Sequence, residues 1–277
     1  MRASPSASSA ERWANALAEW AIPPEILARA PASPWEFPPG ILERRADRAA
    51  TRRTPSDRVA AAALPAAGAV LDVGCGAGAA SLPLAGRASL LAGVDVDTRA
   101  LGEFRGRVEA AGVRAVTVEG RWPDVAGRVP QVDVAVCHHV AYNVPGLPAF
   151  ARRLTEKARS RVVLELTLVH PRAHLNGLWL HFHGLARPDR PTADDAEAVL
   201  REAGLEVERQ DWTPSEPSTW FETLEEAAGW TARALCLTGE RLGELTRLIE
   251  PDLLRLDGMV AQAPRPRATI WWKGEAR

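Results

Sequence analysis

Lysine is nearly absent from this chain, confined to Lys157 and Lys273, and tyrosine occurs once, at Tyr142. Arginine carries the positive charge instead, in clusters such as Arg44-Arg45 and Arg52-Arg53 set among Ala, Asp and Glu, and the formal net charge is −1. So even a balance argues against a surface that tracks nucleic-acid phosphates; the clusters read as solvated helix faces. Cysteine is scarce and odd in number. Cys75, Cys137 and Cys236 lie far apart in mostly apolar surroundings, which suits reduced, buried thiols in the cytoplasm better than bridges. No apolar run is long enough to span a bilayer, and Met1 to Pro5 has no apolar export core. With 46% hydrophobic and 25% charged residues in 277, the composition is that of a globular protein, one large domain with an appendage or two small ones. No internal repeat is visible.

What is present centres on residues 69–81. Ala69 to Val73 is a short apolar run that reads as a buried strand. It breaks at Gly74, Gly76 and Gly78, and Ala79 to Ala85 then reads as a helix. Strand, glycine turn and helix start make a cradle in which backbone N–H groups face a ligand. The next strand, Leu90 to Val94, ends in Asp95, about twenty residues on, where a carboxylate can accept from both hydroxyls of a ribose. Gly74-x-Gly76-x-x-Ala79 also fits a dinucleotide fingerprint. Asp72, two residues before the first glycine, would repel a pyrophosphate but tolerate a cationic sulfonium or ammonium group.

Val70-Leu71-Asp72-Val73-Gly74-Cys75-Gly76-Ala77-Gly78, followed by Gly93-Val94-Asp95-Val96-Asp97, resembles the class I S-adenosylmethionine-dependent methyltransferases over roughly Val70 to Val144. That resemblance implies an α/β fold, a seven-stranded, mostly parallel sheet with helices on both faces, and S-adenosylmethionine as cofactor. It implies that Gly74, Cys75 and Gly76 lie beside the methionine part, that Asp72 orients it, and that Asp95 with Val96 holds the ribose. Arg121 stands where the family usually has an acid against the adenine amino group. Trp122 can flank the adenine, and Cys137 ends the fourth strand beneath the methyl.

Along the chain, residues 1–58 read as a helical N-terminal cap whose first ten or so residues are disordered, and 59–277 as the catalytic domain, with a helical insertion around 222–250. Trp13, Leu17 and Trp20 share a helical face. Trp35 and Phe37 sit in a proline-rich extended segment, where they either cover the site or pack the cap. Strands and helices alternate from Ala69 to Leu166 as in a parallel sheet. Leu205 to Trp212 and Arg267 to Trp272 form a late, antiparallel pair.

After the fourth strand comes Cys137-His138-His139-Val140-Ala141-Tyr142. Neither the Asn/Asp-Pro-Pro-aromatic tetrapeptide nor the Pro-Cys pair of nucleic-acid methyltransferases is present, so a small-molecule acceptor is expected, with no nucleic-acid or membrane partner. All six histidines fall between His138 and His183. Their spacing fits no standard zinc pattern, so no metal is expected. A histidine after the fourth strand suits a general base; pocket lining is the plainer reading for most of them. Side chains alternate along a strand, so only one of His138 and His139 should face the acceptor, His139 being favoured, with Tyr142 as a second polar group. His170, Trp179 and His183 would line the acceptor pocket with Trp35 and Phe37. A nicotinamide-dependent oxidoreductase and a non-catalytic S-adenosylmethionine-binding protein are the alternatives.

Overall fold

The computed structural model describes residues 7–35, 40–50, 53–217 and 219–275. The N-terminal segment contributes α1 (Ser9–Ala18), α2 (Pro24–Leu27), α3 (Ile41–Ala50) and α4 (Pro55–Ala63). Then follow β1 (Gly68–Val73), β2 (Ala88–Asp95), α5 (Thr98–Ala110), β3 (Arg114–Glu119), β4 (Val132–His138), α6 (Leu147–Lys157) and β5 (Ala158–Thr167). The chain continues through α7 (Asn176–His183), α8 (Ala193–Glu202), β6 (Glu208–Trp212), β7 (Trp220–Phe221), α9 (Leu224–Ala234) and α10 (Leu242–Ile249). It ends with β8 (Leu253–Leu256), β9 (Met259–Gln262) and β10 (Arg267–Lys273).

Seven strands form one sheet in the order β3-β2-β1-β4-β5-β10-β6. Its first five strands are parallel, and β10 runs antiparallel between β5 and β6. This is the class I methyltransferase fold, with the expected antiparallel late strand. The interior strands are apolar because both faces are covered. Leu71, Ala135, Cys137, Leu164 and Leu166 meet α6 and α8 on one face, while Val70, Val134, Val136 and Val163 meet α4 and α5 on the other. Among the described residues no helix is long and apolar enough to cross a membrane.

Several local readings need correction. The helix expected over Ala79 to Ala85 is a series of turns followed by a 3-10 segment, Leu82–Arg87, with Pro83 in its first turn. Order begins earlier than expected, since Ser8 and Glu11 form a capping box that starts α1 at Ser9. Trp13 is fully buried in the main core and donates to Val144 O at 2.8 Å. The insertion before β10 is not purely helical. With α9 and α10 it carries a three-stranded sheet, β7-β9-β8, whose Phe221 and Val260 pack on Ile41 of α3.

Candidate active site

Among the described residues, one cavity of about 1550 Å³ opens over the carboxyl ends of β1 to β5 and the start of β10. That exceeds the roughly 300–1,000 Å³ of a single-ligand pocket, so there is space for two reactants. Its roof comes from α1, the turn at Trp20 to Ile22, Pro34-Trp35, α3, the loop around α7 and the end of α9.

The β1–β2 half is built from backbone. Gly74 has φ +71°, and a Cβ there would fall 2.3 Å from Val140 Cγ2. Gly76 has φ +50° with nothing within 4 Å of where a Cβ would stand, so ligand can approach its backbone closely. Asp95 holds the loop together. Its Oδ2 accepts from Gly76 N at 2.9 Å, and its Oδ1 from Val96 N at 2.7 Å and Asp97 N at 3.1 Å. A carboxylate offers about four acceptor positions, so three are taken and a second ribose bond requires Gly76 N–H to yield. Gly74, Cys75, Gly76, Asp95, Val96, Arg121 and Trp122 all border the cavity. Trp122 is anchored from behind, its Nε1 donating to Phe150 O at 3.2 Å.

Two residues expected to bind cofactor do not reach the cavity. Asp72 lies beneath the glycine loop, where its Oδ2 accepts from Ser81 Oγ at 2.7 Å and its Oδ1 is buried without a protein partner. Burial pushes its pKa up to about 6, against the pull of the Ser81 hydrogen bond. Its influence on a ligand therefore passes through the loop. Cys137 faces away into the core with Leu164 and Leu166, because β4 puts alternate side chains on opposite faces. Burial raises the pKa of both Cys75 and Cys137.

The β4–β5 half is built from side chains. Glu165, 3% exposed in the middle of an apolar strand, gathers them. Its Oε1 is ion-paired with Arg267 and lies 3.1 Å from His139 Nε2. Its Oε2 accepts from Ser56 Oγ at 2.7 Å and stands 4.0 Å from His138 Nδ1. Ser56 is delivered by the start of α4, fixed by Pro55 and by the reciprocal capping bonds of Thr54 and Asp57. Burial alone would raise the pKa of Glu165; the charges of His138 and Arg267 and the His139 hydrogen bond outweigh it and hold it well below the usual range. His139 is driven down to about 3 by burial and then by Arg267, against Glu165. It is therefore neutral at physiological pH, with Nε2–H donating to Glu165 and Nδ1 keeping its lone pair.

The expected division between His138 and His139 fails. His139 takes φ +62°, which turns its side chain out of the strand's alternation, and both imidazoles reach Glu165. Tyr142 borders the cavity, yet its hydroxyl donates to Thr167 O at 2.7 Å, and burial with nearby acids pushes its pKa up. His170 stacks on Trp20 with centroids 3.6 Å apart; Trp179 and Trp35 also border the cavity, and Trp35 is 53% exposed. His183 does not border it, since its Nε2 meets Leu235 O at 2.7 Å between α7 and the end of α9. Phe37 lies outside the described residues. No group of three metal-ligating side chains occurs among the described residues.

Sequence reasoning missed Glu165, Arg267 and Ser56. One signal was available: a lone carboxylate in the run Val162-Val163-Leu164-Glu165-Leu166.

Comparison with known proteins agrees with this geometry. Residues 70–160 match the methyltransferase domain family. No curated protein sequence matches the chain. Among solved structures, a cyclopropane-fatty-acyl-phospholipid synthase-like protein from Lactobacillus casei is similar, with 16% identity over 90% of this chain and 97% of that one and a TM-score of 0.54. The YcgJ protein of Bacillus subtilis shares 14% identity over 85% of this chain and all of the other, with a TM-score of 0.52. A Bacillus halodurans protein assigned as a methyltransferase shares 18% identity over 79% and 96%, with a TM-score of 0.51.

Proposed function

We propose that this chain, a class I methyltransferase by fold and by its domain over residues 70–160, moves the methyl group of S-adenosylmethionine to a small-molecule acceptor. The observation that carries this reading is the continuous, roofed cavity joining the glycine loop and Asp95 to the Glu165–His139 pair.

The residues fit this cofactor better than a dinucleotide. The loop after β1 leads into a 3-10 segment, not an α-helix, so the helix dipole that stabilises a pyrophosphate is missing. Gly74, Gly76, Asp95 and Val96 would hold the cofactor, which supplies a methyl already activated on a sulfonium. The protein's work is then alignment, worth roughly 7–11 kcal/mol when two reactants are held in near-attack geometry.

His139, oriented by Glu165, accepts a hydrogen bond from the acceptor's O–H or N–H and takes the proton as the new bond forms. With a pKa of about 3 it is a weak base. That suits a hydroxyl acceptor, whose proton becomes strongly acidic as the oxygen is alkylated, better than an amine whose product ammonium holds its proton. Calorimetry should show S-adenosylhomocysteine binding to the purified chain, and a tritiated-methyl assay over hydroxyl, amine and carbon acceptors should show transfer. Absence of that binding, with NAD or NADP bound instead, would overturn the reading in favour of an oxidoreductase. Binding without transfer to any acceptor would favour a non-catalytic binding protein.

A further inference from the structure

The far side of the cavity, over β5 and β10, is unusually cationic for an enclosed space. Arg172 and Arg187 flank α7, Arg265 lies just before β10 and Arg267 begins it; all four border the cavity. Arg172 donates to Pro34 O at 2.5 Å and lies 4.4 Å from the centre of the Trp35 ring. Arg187 donates to Ala21 O at 3.0 Å and to Trp20 O, and lies 5.3 Å and 5.0 Å from the ring centres of Trp20 and Trp179. Its Nε is buried without a partner. Arg265 donates to Pro171 O and lies 2.8 Å from His174 Nδ1.

These partners are carbonyls, rings and an imidazole. Among the described residues, the only carboxylate ion-paired with these four arginines is Glu165, through Arg267. Burial and mutual repulsion push Arg172 and Arg265 down to about 10, with Arg187 acting on the first and Arg267 on the second. Like charges gathered in a half-enclosed cavity without a counter-charge repel one another and oppose folding. An anion in the ligand reverses that sign. The contacts named use at most two of the five donors on Arg172, Arg187 and Arg265, so each guanidinium has N–H groups to spare for an oxyanion.

The cofactor does not account for them. S-adenosylmethionine carries one carboxylate, and its cradle lies on the β1–β2 side of the sheet, across β4 from these residues. We infer that the acceptor carries an oxyanion, a carboxylate or a phosphate, held by Arg172, Arg187 and Arg265 so that its reacting atom lies by His139. The inference rests on the methyl-transfer reading above.

The test uses calorimetry on the full chain saturated with S-adenosylhomocysteine, which satisfies the cofactor's own carboxylate site. Benzoate, phenyl phosphate and neutral benzamide are then titrated in. Benzoate or phenyl phosphate should bind at least tenfold more tightly than benzamide, and the tighter of the two identifies the anion. Arg187→Gln and Arg265→Gln should each weaken that anion at least tenfold while leaving S-adenosylhomocysteine affinity within twofold. Equal binding of the three probes, binding of none, or parental anion affinity in both variants overturns the inference. The parent's discrimination among probes stands as a test even where a variant fails to fold. If S-adenosylhomocysteine itself fails to bind, the methyl-transfer reading falls, and this inference with it.

Discussion

The two halves of the cavity are made of different material. On the β1–β2 side the ligand-facing groups are main-chain N–H and glycine surfaces, tied by one carboxylate, Asp95, that is still open to the cavity. On the β4–β5–β10 side they are buried charges and imidazoles converging on Glu165 from α4, the β4 end and β10. A backbone cradle binds any ligand of the right shape and tolerates change in most side chains around it. A buried charge network depends on every member, because removing one leaves another charge unpaired. Function should therefore fail differently on the two sides: affinity for cofactor on the first, turnover and folding on the second.

The largest separation is expected at His139. His139→Ala should lower turnover by roughly 10²–10⁴-fold while calorimetry finds S-adenosylhomocysteine affinity within twofold of the parent. Because His139 stays neutral down to about pH 3, the parent's kcat should also be flat between pH 6 and 9. A rate within a few fold of the parent, at saturating acceptor, would remove His139 from the chemistry. An inflection near pH 6.5 would show that Arg267 and burial do not hold the imidazole neutral.

That same contrast explains what could be read from the sequence. Gly74, Gly76 and Asp95 belong to one contiguous strand–turn–strand pattern, so the fold and the cradle were legible. The Glu165 network is scattered over Ser56, His139, Glu165 and Arg267, and no local spacing joins residues brought together by α4, by the β4–β5 pairing and by the insertion of β10 beside β5. Alternation also set His138 and His139 on opposite faces, whereas both imidazoles reach Glu165. It assumes extended backbone, and His139 leaves that region.

On the cradle side, Asp95→Ala should weaken S-adenosylhomocysteine by about 1–3 kcal/mol. Two losses contribute, a ribose partner and the anchor that holds Gly76, Val96 and Asp97 N–H groups in place. Turnover at saturating cofactor should fall far less than in His139→Ala. Unchanged affinity by calorimetry would detach Asp95 from the ribose.

Acid should act on the charged side first. His139, His170 and His174 are all held down to about 3, chiefly by burial, whereas in the unfolded chain each takes a proton near pH 6.5. A lowered histidine pKa means the unfolded state binds more protons, so stability is lost as pH falls below 6.5. Asp72, raised to about 6 by burial, works the other way. Its native state binds a proton that the unfolded state binds only near 4, so stability is recovered as pH falls through 6. Asp57, also raised by burial, adds to that recovery nearer the ordinary carboxylate range. Between pH 6 and 5 three protons on the unfolded side oppose about one on the native side. The unfolding free energy should then fall by at most about 2.7 kcal/mol per pH unit. Urea midpoints at pH 7.5, 6 and 5 measure it, and a midpoint that rises toward pH 5 would contradict the buried, neutral histidines.

The smallest effect sharpens the boundary of the site. Tyr142 borders the cavity next to His170 and stacks against Trp13 with centroids 5.6 Å apart. Its position invites a catalytic role, but its one hydroxyl proton is given to Thr167 O at 2.7 Å. That carbonyl ends β5, two residues beyond Glu165, so the bond braces the strand that carries the network. Tyr142→Phe keeps the ring and its stacking and removes only the bond. The expected cost is about 0.5–1.5 kcal/mol of stability, read as a lower urea midpoint, with turnover within a few fold of the parent. A hundredfold loss of turnover at unchanged stability would mean that the hydroxyl leaves Thr167 during the reaction and acts on the acceptor. A loss of both would mean that bracing β5 is itself required to hold Glu165 against His139.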